Sequence, residues 1–281
     1  MQTQPIDFHP PTEDAAPFLL PVPASLFSER ADRFEFLAQN HSLGDWLAFL
    51  GRLTRAQHEV LKGLPDLPLP DADQLVLARE HRMPPLNAQS LARPAAWRFA
   101  LQQLCLRLQD DAPEGAQPVL KALFSSSAEQ LEKLADGLLG GELDMDSAAQ
   151  LPFVGAALQL VFTKLASQLD TSHLQTQDAH NVCPCCGSPA VASIVRLGAA
   201  INNLRYLHCS LCNSEWNVAR ATCTSCRPAP PPASKPSAGG PRKPRAADRC
   251  PASRKRPAWR ESKGDRALSS VSRIRLRQRF H

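Results

Sequence analysis

Apolar residues recur every three or four positions through most of the first 170 residues, the spacing of helices that bury one face. The pattern is densest after Pro152, where apolar residues run almost without a break toward Leu169. Residues suited to the first position of a helix precede each periodic segment. The pattern predicts six helices, which begin near Ser25, Ser42, Asp71, Pro94, Ser126 and Pro152.

Two of these helix starts carry a capping-box pattern, in which a serine is followed three residues later by an acidic residue. Ser42 precedes Asp45 in this way, and Ser126 precedes Glu129. We therefore predict that both serines cap their helices.

The predicted helices offer core residues and no catalytic group. Trp46 and Trp97 lie on apolar stripes, so we expect both in the core. Cys105 lies beside the second stripe and is interpreted as an inert core thiol. His41 and His58 have no partner in the pattern, and we place both at the surface or the core boundary.

The first strand pattern begins after residue 190. Val191–Leu197 is rich in β-branched residues, Gly198–Asn203 can form a turn, and Leu204–His208 returns in the opposite direction. These segments predict a β-hairpin. The expected fold is a mainly α N-terminal helical domain followed by a small rubredoxin-like or zinc-ribbon β module.

Charge and composition divide the 281-residue chain, whose net charge is +5. Residues 1–226 hold 16 basic and 24 acidic side chains, whereas residues 227–281 hold 16 basic and 3 acidic ones with 9 of the 26 prolines. Such a basic, proline-rich segment buries too little apolar surface to fold, so we predict a disordered tail. Upstream of it we expect a flexible N-terminus (1–16), a helical domain (17–175) and a metal-binding module (176–226).

Neither a membrane span nor an export signal is expected. The longest mainly apolar run, Phe153–Phe162, is about half of the length that a membrane helix needs. Met1–Asp14 contains acids and prolines where a signal peptide has a basic start and an apolar stretch. We therefore expect a cytoplasmic protein.

Seven of the nine cysteines fall within 44 residues near the end of the acidic part. Two of their pairs are joined by a hairpin, and each pair has two intervening residues. That spacing lets one tight turn direct two thiolates at one cation, and two such turns form a tetrahedral site. We predict the metal ligands Cys183, Cys186, Cys209 and Cys212.

Residues around these pairs refine the site. The turns need a left-handed residue after the second cysteine, which Gly187 and Asn213 supply. Cys185 is interpreted as a spare thiol. His208 is interpreted either as a residue that supports the ligands without binding the metal or as a bystander. Four thiolates suit zinc and mononuclear iron equally.

A third pair, Cys223 and Cys226, forms only half of a second metal site. Downstream of it the chain offers a single further cysteine, Cys250. We interpret the pair as an incomplete site, or as one that a partner chain completes.

Two other uses of paired cysteines fit the sequence less well. A disulfide framework is rare in proteins without an export signal. A thioredoxin-like redox pair lies at a strand–helix junction of a βαβ unit, and no such unit is visible.

The cysteine module and parts of the helical region resemble the formate dehydrogenase accessory protein FdhE family. The likeness covers about residues 17–226, and its most specific part is the run that ends at Cys209. The matching segments are Cys183-Pro-Cys-Cys186-Gly187, Leu204-Arg-Tyr-Leu-His-Cys209-Ser-Leu-Cys212, Glu215-Trp216, Cys223-Thr-Ser-Cys226, Leu26-Phe27-Ser-Glu-Arg30-Ala31, His41-Ser-Leu-Gly44-Asp45-Trp46 and Pro84-Pro85-Leu86.

The resemblance implies a cytoplasmic assembly factor rather than an enzyme. It implies rubredoxin-like modules that bind iron, which favours iron over zinc. It also implies a partner, the catalytic subunit of a molybdenum- or tungsten-dependent formate dehydrogenase with selenocysteine or cysteine. The sequence does not decide the oligomeric state, and a homodimer is compatible with it. Two alternative functions also remain compatible with the sequence, a zinc-ribbon nucleic-acid binder and a thiol–disulfide oxidoreductase.

The chain departs from this family at Arg227. Members continue with another folded stretch that contains a fourth pair of cysteines. Our hypothesis is that the tail results from a shifted reading frame in a GC-rich gene, in which case we expect no nucleic-acid partner for it. Sequencing the coding DNA tests this hypothesis, and the lack of an alternative frame with a cysteine pair soon after Cys226 would contradict it.

Overall fold

The structure, a computed structural model, describes residues 16–142, 144–177, 180–197, 202–219 and 224. Within these residues seven α-helices precede three of the four strands of a small antiparallel sheet, so the predicted fold class is confirmed. The α-helices are α1 (Leu26–Ala38), α2 (Gly44–Gly63), α3 (Ala72–Glu80), α4 (Ala96–Leu108), α5 (Gln117–Ser125), α6 (Ala128–Gly140) and α7 (Leu151–Ser167).

Helix α7 lies at the centre of the helical part. Most of its side chains are buried, from Phe153 to Ala166, which explains why its sequence is apolar on almost every side. Helices α2, α4 and α6 pack against it. Trp97 on α4 is fully buried, as predicted. Among the buried residues of α7, Thr163 is the one with a polar side chain, and it is fully buried.

One predicted cap is displaced by one residue. The side chain of Ser127, rather than Ser126, accepts a hydrogen bond from the Gln130 amide (3.2 Å), and the Gln130 side chain accepts one from the Ser127 amide (2.9 Å). Ser126 instead follows the last residue of α5. We did not predict α5, because its short apolar stretch runs directly into the cap of α6.

The predicted cap at Ser42 is wrong. Helix α2 follows Leu43, and no side chain caps it. Gly44 approaches the Ala38 carbonyl so closely that an added Cβ would lie 2.8 Å from the oxygen. The tight connection between α1 and α2 therefore sets this helix start.

Two burial predictions on α2 are also wrong. Trp46 is 51% exposed, and Phe49 takes its place in the core. The two rings still touch, with centroids 5.9 Å apart. His58 is only 8% exposed, deeper than the surface or boundary position that we expected.

The sheet consists of four antiparallel strands in the spatial order β1-β4-β3-β2, where β1 is Phe18–Leu19, β2 is Ala190–Leu197, β3 is Asn202–Cys209 and β4 is Glu215–Asn217. The predicted hairpin is confirmed. The first strand was not expected, because two residues carry no alternating pattern; its Phe18 pairs with Trp216.

Several predictions concern residues outside the described ranges: most of the N-terminus (1–16), the pair Cys223 and Cys226, Cys250 and the basic tail (227–281). Among the described helices, none combines the length and the apolar character that crossing a membrane requires.

Candidate metal centre

The first cysteine turn runs from Cys183 to Gly187. It is closed by the Gly187 amide, which donates to the Cys183 carbonyl (2.8 Å), and by the Cys183 amide, which donates to the Ser188 carbonyl (2.8 Å). Gly187 has a φ of +77°, in the left-handed region that we predicted for it. The turn thus directs the side chains of Cys183 and Cys186 to one side.

The second turn repeats this arrangement after strand β3. The Cys209 amide donates to the Ser214 carbonyl (2.9 Å), and Asn213 has a φ of +59°, as predicted. The amides of Leu211 and Cys212 lie 3.3 and 3.4 Å from the Cys209 sulfur. Amides directed at a sulfur favour its thiolate form, because they place partial positive charge beside it.

The two turns bring the four predicted cysteines together. Their sulfur atoms all lie within 4.8 Å of one another, and every one of these residues is buried. The Sγ–Sγ distance is 3.5 Å between Cys183 and Cys212 and 3.4 Å between Cys186 and Cys209. Four thiolates about 2.3 Å from one tetrahedral ion lie about 3.8 Å apart. A disulfide needs about 2.05 Å, so the spacing fits an ion better than cross-links.

Burial and mutual contact shape the charge of this cluster. Burial raises the pKa of the Cys183, Cys209 and Cys212 thiols well above the ordinary value. Burial acts on Cys186 too, but hydrogen bonds from the other three thiols lower its pKa well below the ordinary value. Burial therefore favours the neutral thiols, whereas a cation that binds the sulfurs favours the thiolates and displaces their protons.

A loop of the helical part holds the first turn. The amide of Leu86 donates to the Cys185 carbonyl, and the amide of Ala88 donates to the Cys186 carbonyl, both at 2.9 Å. A Cβ added to Gly187 would lie 3.5 Å from Pro84, so this loop also covers the turn. The first sulfur pair is thus attached through main-chain bonds to residues that lie about a hundred positions earlier.

Side chains of two helices hold the second turn. Arg30 on α1 donates to the Asn213 side-chain oxygen (2.7 Å), and the Asn213 side-chain nitrogen donates to the Thr163 hydroxyl on α7 (2.8 Å). Gln159, also on α7, donates to the Ser210 carbonyl (2.8 Å). The spacing of cysteines gave no signal for these helical residues, because their positions depend on the tertiary fold.

Cys185 and His208, which we did not predict as ligands, lie outside the four-cysteine cluster. The His208 ring lies with Nδ1 3.3 Å from Glu215 and Nε2 3.1 Å from Asn213. Burial opposes the charge of Glu215, yet hydrogen bonds from His208 and Arg196 lower its pKa below the ordinary value. Cys185 is fully buried beside the four sulfurs.

Comparison with known proteins agrees with this architecture. The N-terminal FdhE family model matches residues 15–179, and the FdhE central-domain model matches residues 182–220. An FdhE homolog of Edwardsiella ictaluri is 39% identical over 75% of this chain and 68% of its own length. One from Pseudomonas putida is 39% identical over 75% of this chain and 66% of its own length.

A solved structure shows the same fold. The crystal structure of the FdhE protein from Pseudomonas aeruginosa superposes with a TM-score of 0.67 at 33% sequence identity. The match covers 75% of this chain and 73% of that one. On the family models, the relatives and this structure together, the chain belongs to the FdhE family.

Proposed function

We propose that this chain is a cytoplasmic accessory protein that helps to assemble formate dehydrogenase and does not itself catalyse a reaction. Membership of the FdhE family carries the proposal, because the family models span the helical body and the first cysteine module. The chain covers about two thirds of the length of its homologs, 68% and 66% in two cases. Its role is therefore inferred from the shared part.

We further propose that Cys183, Cys186, Cys209 and Cys212 hold one ion, and that this ion is iron rather than zinc. Four converging buried sulfurs form a donor set that suits either metal, and the family resemblance favours iron. When bound, the ion supplies a cross-link between the two turns and, as iron, a one-electron redox couple.

The partner in this proposal is the catalytic subunit of a formate dehydrogenase. Residues 17–175 act as the docking body and residues 176–226 as the metal-binding module. Complete burial of the four cysteines supports a structural or electron-transfer role. Donating the ion to a partner would require the turns to open first.

Metal analysis tests the site directly. Protein purified without oxygen is expected to contain one iron per chain and to show a visible thiolate-to-iron charge-transfer band. Cys209→Ala should lose both, whereas Cys105→Ala, which changes a buried cysteine outside the cluster, should keep both. Colourless protein with one zinc would contradict the choice of iron, and wild-type protein that binds no metal would contradict the site.

Partner binding tests the function. The tagged chain is expected to retain a purified formate dehydrogenase catalytic subunit, and to restore formate oxidation in a bacterium that lacks its own accessory protein. The matched pair Cys209→Ala and Cys105→Ala separates the metal module from general folding. Soluble, metal-loaded chain that neither retains the subunit nor restores activity would contradict the proposal.

Both alternatives from the sequence have distinct readouts. A thiol–disulfide oxidoreductase needs an accessible thiolate, whereas the four clustered cysteines are buried, and we expect no reduction of insulin. A nucleic-acid binder would show strong, salt-steep retention of DNA or RNA that disappears when residues 227–281 are removed.

A further inference from the structure

We propose that Asn213 and Arg30 form a tether that positions the second cysteine pair and links metal binding to the helical body. This inference rests on the proposed four-cysteine metal site. It assigns both residues a positioning role and neither a contact with the ion.

The side chain of Asn213 forms hydrogen bonds that its left-handed backbone conformation does not require. The equivalent position of the first turn is Gly187, which meets the left-handed requirement without any side chain. Asn213 meets the same requirement, is 3% exposed, and uses both ends of its amide. The oxygen accepts from Arg30 and the nitrogen donates to Thr163, so one residue bonds to two helices.

Arg30 is held in place from the helical side. Its guanidinium carbon lies 5.2 Å from the centroid of the Phe27 ring, and Phe27 is fully buried. The guanidinium lies 2.7 Å from the Asn213 oxygen and 3.4 Å from the nearer nitrogen of His208. A charged donor in such a partly buried setting forms a stronger bond than a neutral donor.

A displacement of Asn213 would move both ligands of the second turn. Asn213 directly follows Cys212, and the next residue, Ser214, accepts the hydrogen bond of the Cys209 amide (2.9 Å). Groups that orient metal ligands without touching the metal typically contribute about 10- to 100-fold in affinity. The coupling is reciprocal, so an ion that fixes this turn also fixes its contact with α1.

The test compares two pairs of substitutions. Asn213→Gly removes the amide and keeps the left-handed backbone, and Arg30→Gln removes the charged donor. The matched controls are Asn40→Gly, at an exposed asparagine with a φ of +57°, and Arg33→Gln, on the exposed face of the same helix.

The measurement is the dissociation constant of Co²⁺, obtained without oxygen by competition with a chelator and followed by the thiolate-to-cobalt absorption. We expect about tenfold weaker binding for Asn213→Gly and for Arg30→Gln, as for other groups that orient ligands. Both controls should match the wild type. The double variant should bind no more weakly than Asn213→Gly alone, because both changes break one tether, and Arg30→Lys should recover part of the loss.

Three results would overturn the tether. They are wild-type Co²⁺ affinity in Asn213→Gly, losses that multiply in the double variant, and loss of helical circular dichroism in Asn213→Gly, since the helical body should not depend on one turn. Wild-type protein that binds no Co²⁺ would instead refute the metal site on which the tether rests.

Discussion

Glu132 on α6 accepts hydrogen bonds from three side chains at once. Arg93 donates to one carboxylate oxygen (3.0 and 2.8 Å), and Trp97 donates to the other (2.9 Å), which also contacts Arg98. Burial disfavours the charge, but these donors lower the pKa of Glu132 below its ordinary value. The carboxylate therefore joins α6 to α4 and to the segment before α4.

We expect Glu132→Gln to lower the free energy of unfolding at pH 7 by about 2 kcal/mol, since it weakens several charge-assisted bonds. The pKa of Glu132 is lower in the folded protein than in the unfolded chain. This stabilisation is therefore complete when the pH is above the pKa of the unfolded chain, and it is lost as the pH falls toward the pKa of the folded state. Urea unfolding of wild type and variant should therefore differ less at pH 4 than at pH 7. Glu114→Gln, at an exposed loop position, is the control, and a difference that grows at pH 4 would contradict the assignment.

Cys105 allows a second test at the scale of one residue. It is 2% exposed, and burial raises the pKa of its thiol to about 11, so we expect no alkylation by iodoacetamide at pH 8 in folded protein. Peptide mass spectrometry should find it modified only after denaturation. Ser42→Cys, at an exposed position, provides the reference rate, and comparable labelling of both cysteines would contradict an inert core thiol.

The cap that Ser127 forms at the start of α6 can be tested by substitution. Ser127→Ala removes the hydroxyl that accepts the Gln130 amide, and we expect it to lower the free energy of unfolding by about 1 kcal/mol. Ser126→Ala leaves this cap intact and should cost clearly less. Chemical denaturation of both variants checks the order, and a larger effect of Ser126→Ala would favour the cap that we predicted from the sequence.

Local patterns predicted the elements whose geometry is decided within a few residues. The hairpin, the two cysteine turns and the left-handed positions of Gly187 and Asn213 follow from chemistry that neighbours in the chain provide. Trp46 was misplaced because an amphipathic stripe shows which face is apolar but not how far the core extends along it. Strand β1 and the partners of Asn213 depend on residues far away in the sequence, which periodicity cannot reveal.

At the scale of the whole molecule, the metal module and the helical body share hydrogen bonds at both cysteine turns. A ligand that binds only the folded state stabilises it. If the four cysteines hold the proposed ion, removing that ion should lower the melting temperature. The loss should also be local: deuterium exchange at Leu86 and Ala88, whose amides bond to the first turn, should rise more than exchange in α5. Hydrogen-exchange mass spectrometry before and after chelation checks this, and a uniform increase would contradict the attachment.

Strand β1 comes from the start of the chain, yet it forms one edge of a sheet whose other three strands follow all the helices. Tyr206 donates to the Ala16 carbonyl (2.9 Å), and the Asn217 amide donates to the Pro17 carbonyl (2.9 Å), next to the pairing of Phe18 with Trp216. During translation Phe18 emerges about 200 residues ahead of Trp216, a delay of about 10 to 40 s when synthesis proceeds at about 5 to 20 residues per second. On the ribosome, β1 therefore has no partner until the cysteine turns and β4 have emerged. The pairing of β1 with β4 can form only at the end of that interval.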